Sequence, residues 1–311
     1  MSYRPTVHIL LATCNGELYL QEQLKSIEIQ TYPFWTLTVS DDGSTDKTLA
    51  IIESFSKRVT QNIFILHGPK LGSSTTNFFH LINSAAIEDT KDLYAFCDQD
   101  DVWYNDKLER AVAWHAHQCA KATRLYCGRT EIVDKHLNFI CYSPNIKNNP
   151  SFGNALVENI ASGNTMVFNQ TILLGLRKIN PKHSVWHDWT TYLVTTGLGG
   201  IVFFDYESCL LYRQHDSNII GQNSSISSVL QSLIRNVIGR FRRRLDTNQQ
   251  ALMDLYIFLS PRSKEIFNDF ITMRNSRTRI RKFIMFYKSP IKRQKLIANA
   301  AVIIALIFNF I

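Results

Sequence analysis

The sequence has no Cys-x-x-Cys pair. Its six cysteines (Cys14, Cys97, Cys119, Cys127, Cys141 and Cys209) are scattered, which argues against both a zinc site and a compact disulfide framework and favours reduced thiols. Glycine and proline are sparse, 13 and 8 in 311 residues, and only 19% of positions are charged while 45% are hydrophobic. Those proportions exclude a disordered or collagen-like chain and supply material for a sizeable core. The start, Met1-Ser-Tyr-Arg-Pro-Thr, lacks the basic segment, apolar run and cleavage site of a secretory signal, so a cytoplasmic protein is expected. Near the C-terminus the charge-free stretch Leu296 to Ile311 has 16 residues, short of the roughly 17–25 that a spanning helix needs. No internal repeat is visible.

The charge is unevenly spread. Residues 1–216 carry 18 Lys+Arg and 22 Asp+Glu, a net −4, whereas residues 217–311 carry 16 and 4, a net +12. From Phe270 to Ile311 there are nine basic residues and no acid. A basic, aromatic-containing segment beside a short apolar end has the composition of an interfacial attachment to an anionic membrane surface. The alternative is a solvated basic helix with its apolar end in a core or a homo-oligomer contact. No nucleic-acid motif accompanies the charge, so nucleic acid is not an expected partner.

The first hundred residues alternate strand and helix signals, the pattern of parallel strands joined by crossover helices. Strands are expected at Val7 to Ala12, Phe34 to Ser40, Asn62 to Leu66 and Leu93 to Cys97, with helices through Leu18 to Ile27, Leu49 to Phe55 and Phe78 to Ala86. Beyond Trp103 the pattern loosens into a helix from about Asn105 to Ala122 and strand-like pieces at 161–168 and 201–204. His115 and His117 are expected on the surface. A Ser-rich joint, Ser224 to Ser228, precedes the basic helical tail.

Three expected strands end in polar loops: Thr13-Cys-Asn-Gly-Glu17, Asp41-Asp-Gly-Ser-Thr-Asp46 and Asp98-Gln-Asp-Asp101. In open α/β sheets that edge is where ligands bind. Three carboxylates within four residues repel one another unless a cation is present, and hard oxygen ligands suit Mg²⁺ or Mn²⁺ shared with substrate phosphates. An acidic turn leading into a helix is the structural alternative for that loop.

These segments, together with Ser162-Gly-Asn-Thr-Met-Val-Phe168, His187-Asp-Trp189 and Leu211-Tyr-Arg-Gln-His215, resemble the ordered signatures of family two glycosyltransferases over about residues 5–220. The combination is most similar to the bacterial rhamnosyltransferase branch that builds O-antigens and rhamnose-rich polysaccharides. The resemblance implies an α/β GT-A fold, a mixed sheet flanked by helices, over residues 1–223, with a basic helical extension at 224–311. Residues 1–104 would form the nucleotide-sugar half and 105–223 the acceptor half.

By motif, Thr13, Glu17, Asp42, Asp98, Asp101 and Arg213 would contact the nucleotide sugar, and Asp100, Asp98 and His215 the metal. Asp188 would be the general base, with an N-cap role as its alternative, and Trp189 and Trp103 would meet the acceptor. Lys70 and Gly72 lie in a loop that the family places near the donor, and 216–221 would form a closing loop. Cys14-Asn15 departs from the Tyr-Asn of many members, and the Gln-x-x-Arg-Trp motif of processive synthases is absent.

The implied activity is inverting, metal-dependent transfer of a sugar, L-rhamnose from dTDP-L-rhamnose, to a lipid-linked saccharide at the inner face of the membrane. UDP-hexose or UDP-N-acetylhexosamine transfer, a non-catalytic sugar-nucleotide or membrane-binding module, and a Mg²⁺-dependent phosphohydrolase are the competing readings.

Overall fold

The computed structural model describes residues 4–214, 230–308 and 310–311. His215, the proposed closing loop and the Ser-rich joint lie outside the described residues. Four parallel strands, β1 (Val7–Thr13), β2 (Trp35–Asp41), β3 (Ile63–His67) and β4 (Leu93–Cys97), sit side by side in the order β3-β2-β1-β4. The sheet continues through β8 (Val167–Asn169), β6 (Arg124–Val133), β9 (Ile201–Arg213) and β5 (Val102–Trp103), with β7 (Phe139–Tyr142) paired to β6. Strand β8 runs antiparallel to β4 and β6, so the sheet is mixed.

Every residue of β1 is buried, as expected of a central parallel strand covered on both faces. Its side chains alternate between two cores. Val7, Ile9 and Leu11 pack with Leu20, Leu24 and Ile27 of α1 (Leu20–Glu28) and with Leu108 and Val112 of α4 (Lys107–Ala116). Ile52 and Phe55 of α2 (Thr48–Ser56) join that layer. Leu10 and Ala12 face the other core, beside Phe78 of α3 (Ser74–Ser84), Leu173 of α6 (Gln170–Leu176) and Tyr192 of α7 (His187–Gly197). The short α5 (Phe152–Ala155) lies on the same side.

The helices that follow residue 230 enter that second core too. Leu252 of α8 (Leu230–Asp254), Phe267 of α9 (Pro261–Asn275), Phe286 of α10 (Arg279–Lys288) and Leu306 of α11 (Leu296–Ile307) all belong to the cluster containing Phe96 and Tyr192. The segment before α11 is strapped down: a Cβ on Gly153 would lie 2.4 Å from the Pro290 carbonyl, and Asn154 Nδ2 donates to the Lys292 carbonyl. Among the described residues no helix is long and apolar enough to cross a membrane.

Three expectations are corrected. The strand-like piece at 161–168 is a strand only from Val167, where β8 begins, and a 3-10 turn at Gly163–Thr165 precedes it. The helix expected from about Asn105 to Ala122 stops at Ala116, and the long β6 follows it; Gly128, Arg129 and Glu131 break the apolar pattern that would have announced that strand. His115 is buried, with Nε2 3.1 Å from the Val167 carbonyl, and burial holds its imidazole neutral, down to about 3.

Candidate active site

The C-terminal ends of β1, β2 and β4 open into a cleft of about 540 Å³, lined by Thr13, Asp42, Asp98, Asp100, Trp186 and Asp188 among others. Backbone amides and short side chains lace its rim. Gln99 Oε1 accepts from Thr13 Oγ1 (2.7 Å) and the Cys14 N–H (2.9 Å), which fixes the first loop to the fourth strand. A Cβ at position 16 would fall 2.7 Å from that same oxygen, so any larger residue there would push the Gln99 amide off its two hydrogen bonds. Asn15 adopts φ 50 and its Oδ1 accepts the Thr45 N–H.

Asp42 accepts from the backbone of the third loop, from Lys70 N at 2.6 Å and Gly72 N at 2.8 Å, so its carboxylate shapes the cleft wall. Glu17 does not line the cleft. Its carboxylate accepts the Lys47 N–H and pairs with Lys47 Nζ at 3.4 Å, a tie between the first two loops.

Asp98 and Asp100 line the cleft together with Asp188, which comes from the start of α7. Burial pushes the Asp98 carboxyl up to about 7, with Asp100 and Asp188 adding to the shift. Asp101 points away: it is fully buried, accepts from Asn164 Nδ2 at 2.5 Å, and is raised by burial and by its two acidic neighbours. Beneath it the buried Lys107 donates to the Asn164 carbonyl and lies 3.2 Å from the centre of the Trp103 ring. Burial lowers this ammonium to about 8. Asp101, Asn164 and Lys107 form a platform under the acidic loop rather than a sugar contact.

Asp188 lies in the first turn of α7, whose N-cap is Trp186, so Asp188 is not the cap. Its Oδ1 accepts the Trp189 N–H at 2.6 Å, and Asn159 and the Gly163 N–H also hydrogen-bond to it. These bonds hold the carboxylate, but burial outweighs them and raises it to about 6. His187 beside it is stacked 3.8 Å from Phe78 and is held neutral by burial, at about 3.

Besides Glu17 and Asp101, three further sequence expectations change here. Trp189 is core: it is 3% exposed and its Nε1 donates to the Ala155 carbonyl at 2.7 Å. Trp103 is buried in the other core. Arg213, 2% exposed, gives its guanidinium to the carbonyls of Asp100 (3.0 Å) and Lys135 (2.7 Å) and to Glu22, so it braces the acidic loop instead of reaching for phosphate.

Trp186 and Tyr212 are aromatic residues on the cleft wall, and the Arg244 guanidinium lies 4.4 Å above the Trp186 ring. The place of Trp186 directly before His187-Asp188 was the available signal. Away from the cleft, ligand atoms of His8, Glu88 and Asp92 come within 4.8 Å of one another, a spacing a cation could use. They sit at the opposite end of the strands, where Asp92 also accepts from Thr6 and Asp89 N–H groups.

Residues 8–183 match the model of glycosyl transferase family 2. The chain belongs to that family. A dTDP-rhamnosyl transferase, RfbG of Shigella flexneri, is 32% identical over 259 residues, covering 78% of this chain and 85% of that protein. The putative teichuronic acid biosynthesis glycosyltransferase TuaG of Bacillus subtilis is 27% identical over 112 residues, 36% of this chain and 42% of TuaG.

Among solved structures, S. aureus TarS 1–349 in complex with UDP-GlcNAc superimposes with a TM-score of 0.55 at 15% identity, over 98% of this chain and 90% of that one. The mannosyltransferase PcManGT of Pyrobaculum calidifontis, in complex with GDP-Man and Mn²⁺, gives 0.52 at 14%, over 97% and 88%. The fold of this glycosyltransferase is GT-A, with a helical C-terminal extension packed on it.

Proposed function

We propose that this protein transfers L-rhamnose from dTDP-L-rhamnose to a lipid-linked saccharide in bacterial surface polysaccharide synthesis, by a single displacement with inversion. The observation that carries the chemistry is the meeting of Asp98 and Asp100 with Asp188 in one cleft. The extended similarity to the Shigella dTDP-rhamnosyl transferase supports the donor.

The donor's nucleotide lies against Thr13 and the Asp42-shaped wall, with its diphosphate toward the acidic loop. Asp98 and Asp100 offer the hard oxygen ligands that Mg²⁺ or Mn²⁺ prefers, and the burial and acidic crowding that raise Asp98 fit a site built around a cation. Such an ion, when bound, offsets the charge that develops on the diphosphate leaving group. Asp188 takes the proton from the attacking acceptor hydroxyl, and a carboxylate near 6 is basic enough for that task while still ionised at neutral pH. Trp186 offers its ring to the acceptor sugar. Arg213 holds the acidic loop through the Asp100 carbonyl.

The test is a donor panel: purified protein with Mg²⁺ or Mn²⁺, dTDP-rhamnose and several UDP-sugars, scored for nucleotide diphosphate release with and without a rhamnosyl acceptor. Release of dTDP that needs acceptor and metal, and that Asp188→Asn and Asp100→Ala both abolish, upholds the proposal. Turnover of a UDP-sugar alone overturns the rhamnose donor but leaves the roles of Asp188 and Asp100 standing. Failure of every donor to bind points to a non-catalytic module.

A further inference from the structure

Helix α10 turns an apolar face outward. Ile280, Phe283, Ile284 and Tyr287 recur at the spacing of one helical face and are 71%, 47%, 45% and 77% exposed, while Lys282 and Phe286 on the opposite side are buried. The next helix begins with Leu296 and Ile297, 87% and 86% exposed. Surface helices ordinarily put such residues against the core and charge toward water. Here the core-facing positions are already filled, so the outward face is surplus to folding.

The charge around it is of one sign. At 100° per residue Arg281 and Lys288 flank the apolar face on one side and Arg279 on the other. Arg277, Lys292 and Lys295 are also exposed, and none of these six forms an ion pair among the described residues. No acid occurs from Phe270 to Ile311. A second copy docking through the same face would set this charge against itself. An acidic protein groove would match the charge, but an interfacial helix with basic flanks and aromatic residues in its apolar face matches a bilayer in both respects.

We infer that the outer face of α10, with the start of α11, is a docking surface for anionic lipid, into which Phe283 and Tyr287 insert while Arg279, Arg281 and Lys288 meet the headgroups. The surface is peripheral, because no described helix can span a bilayer. It also fixes what the protein meets: a lipid-linked acceptor held in the same leaflet arrives at raised effective concentration. The surface stands whichever sugar is transferred.

The full chain is floated with vesicles of phosphatidylcholine alone and with vesicles containing about 30% phosphatidylglycerol at about 0.15 M salt. Binding to the anionic vesicles is expected to exceed the neutral ones by at least about tenfold. The double variant Phe283→Asp, Tyr287→Asp and the triple variant Arg279→Gln, Arg281→Gln, Lys288→Gln should each lose about tenfold or more of it. These side chains are exposed, and unchanged thermal unfolding checks that both variants fold. Equal binding to both vesicle types, no binding to either, or wild-type binding by the Phe283/Tyr287 variant overturns the inference. A solution dimer that this variant dissociates, with vesicle binding unaltered, assigns the face to self-association instead. Flotation reads the protein, not turnover, so its failure is distinguishable from failure of the rhamnose donor.

Discussion

Replacing Gly163 with alanine should cripple turnover without touching a reacting group. A methyl there would sit 2.4 Å from His187 Nε2 and 3.3 Å from Asp188 Cβ, about 1 Å inside the ~3.5 Å that carbon and nitrogen tolerate. The imidazole, 8% exposed where it lines the cleft, is held by stacking on Phe78 and by its edge-on contact with Phe96 at 4.9 Å, which resist its moving aside. The first turn of α7 must therefore move, and it carries Asp188. Overpacking of this kind costs about 1–3 kcal/mol of stability, and a base displaced by about 1 Å costs on the order of 100-fold in rate. Acceptor-dependent nucleotide release should show kcat down by about that factor with the donor KM within about threefold. In a His187→Ala background the same substitution meets an empty space, so its effect on kcat should shrink to a few-fold or less. A Gly163→Ala enzyme with kcat within about twofold of wild type, or an equal loss in both backgrounds, would refute the contact as what sets the base.

Other consequences can be measured independently. As the proposed base, Asp188 would act only when deprotonated, so kcat/KM should rise with pH through a midpoint near 6, and Asp188→Asn should remove turnover together with that limb; a flat profile down to pH 5 would exclude the role. The Asp98 carboxyl is raised on folding, so the metal-free fold binds more protons than the unfolded chain. Its contribution is present below the ordinary carboxylate range and is lost as pH rises through about 7. Asp98→Asn should accordingly raise Tm by about 2–6 °C at pH 7.5 without metal while abolishing metal-dependent turnover, and a lowered Tm counts against the crowding. Trp186→Ala should raise the acceptor KM by about tenfold with the donor KM unchanged, whereas Trp189→Phe, which breaks the bond to Ala155, should cost about 1–2 kcal/mol of stability and leave the acceptor KM alone. The opposite split would restore Trp189 as the acceptor contact.

The first half of the chain was legible because its signals agree: β1, β3 and β4 are apolar runs and β2 alternates Trp, Leu and Val with Thr, each strand ends in turn chemistry, and each intervening segment repeats with helical period. The convergence of three loops on one edge followed from that order alone. The later strands were harder to see, since β9 mixes exposed and buried positions along 13 residues and β6 carries Gly and charge within it. Site assignments went astray where a residue type suited to a ligand serves the scaffold instead. Arg213 reads as a phosphate ligand until its guanidinium is found spent on two carbonyls and Glu22. Trp189 and Trp186 flank the same dipeptide, and only helix phase, invisible in composition, turns one into the core and the other toward the cleft.

The tail shares a core with the catalytic sheet, and this sets how the molecule can be taken apart. Removing residues 270–311 to free the enzyme from a surface would strip Phe286, Val302 and Leu306 from the cluster that backs Phe96, the strand residue just upstream of Asp98. A protease or a gene truncation therefore cannot release a soluble, working enzyme by clipping a leash. If the outer skin of α10 is the attachment proposed above, that attachment is inherited with the fold, and loosening it must proceed by point changes there.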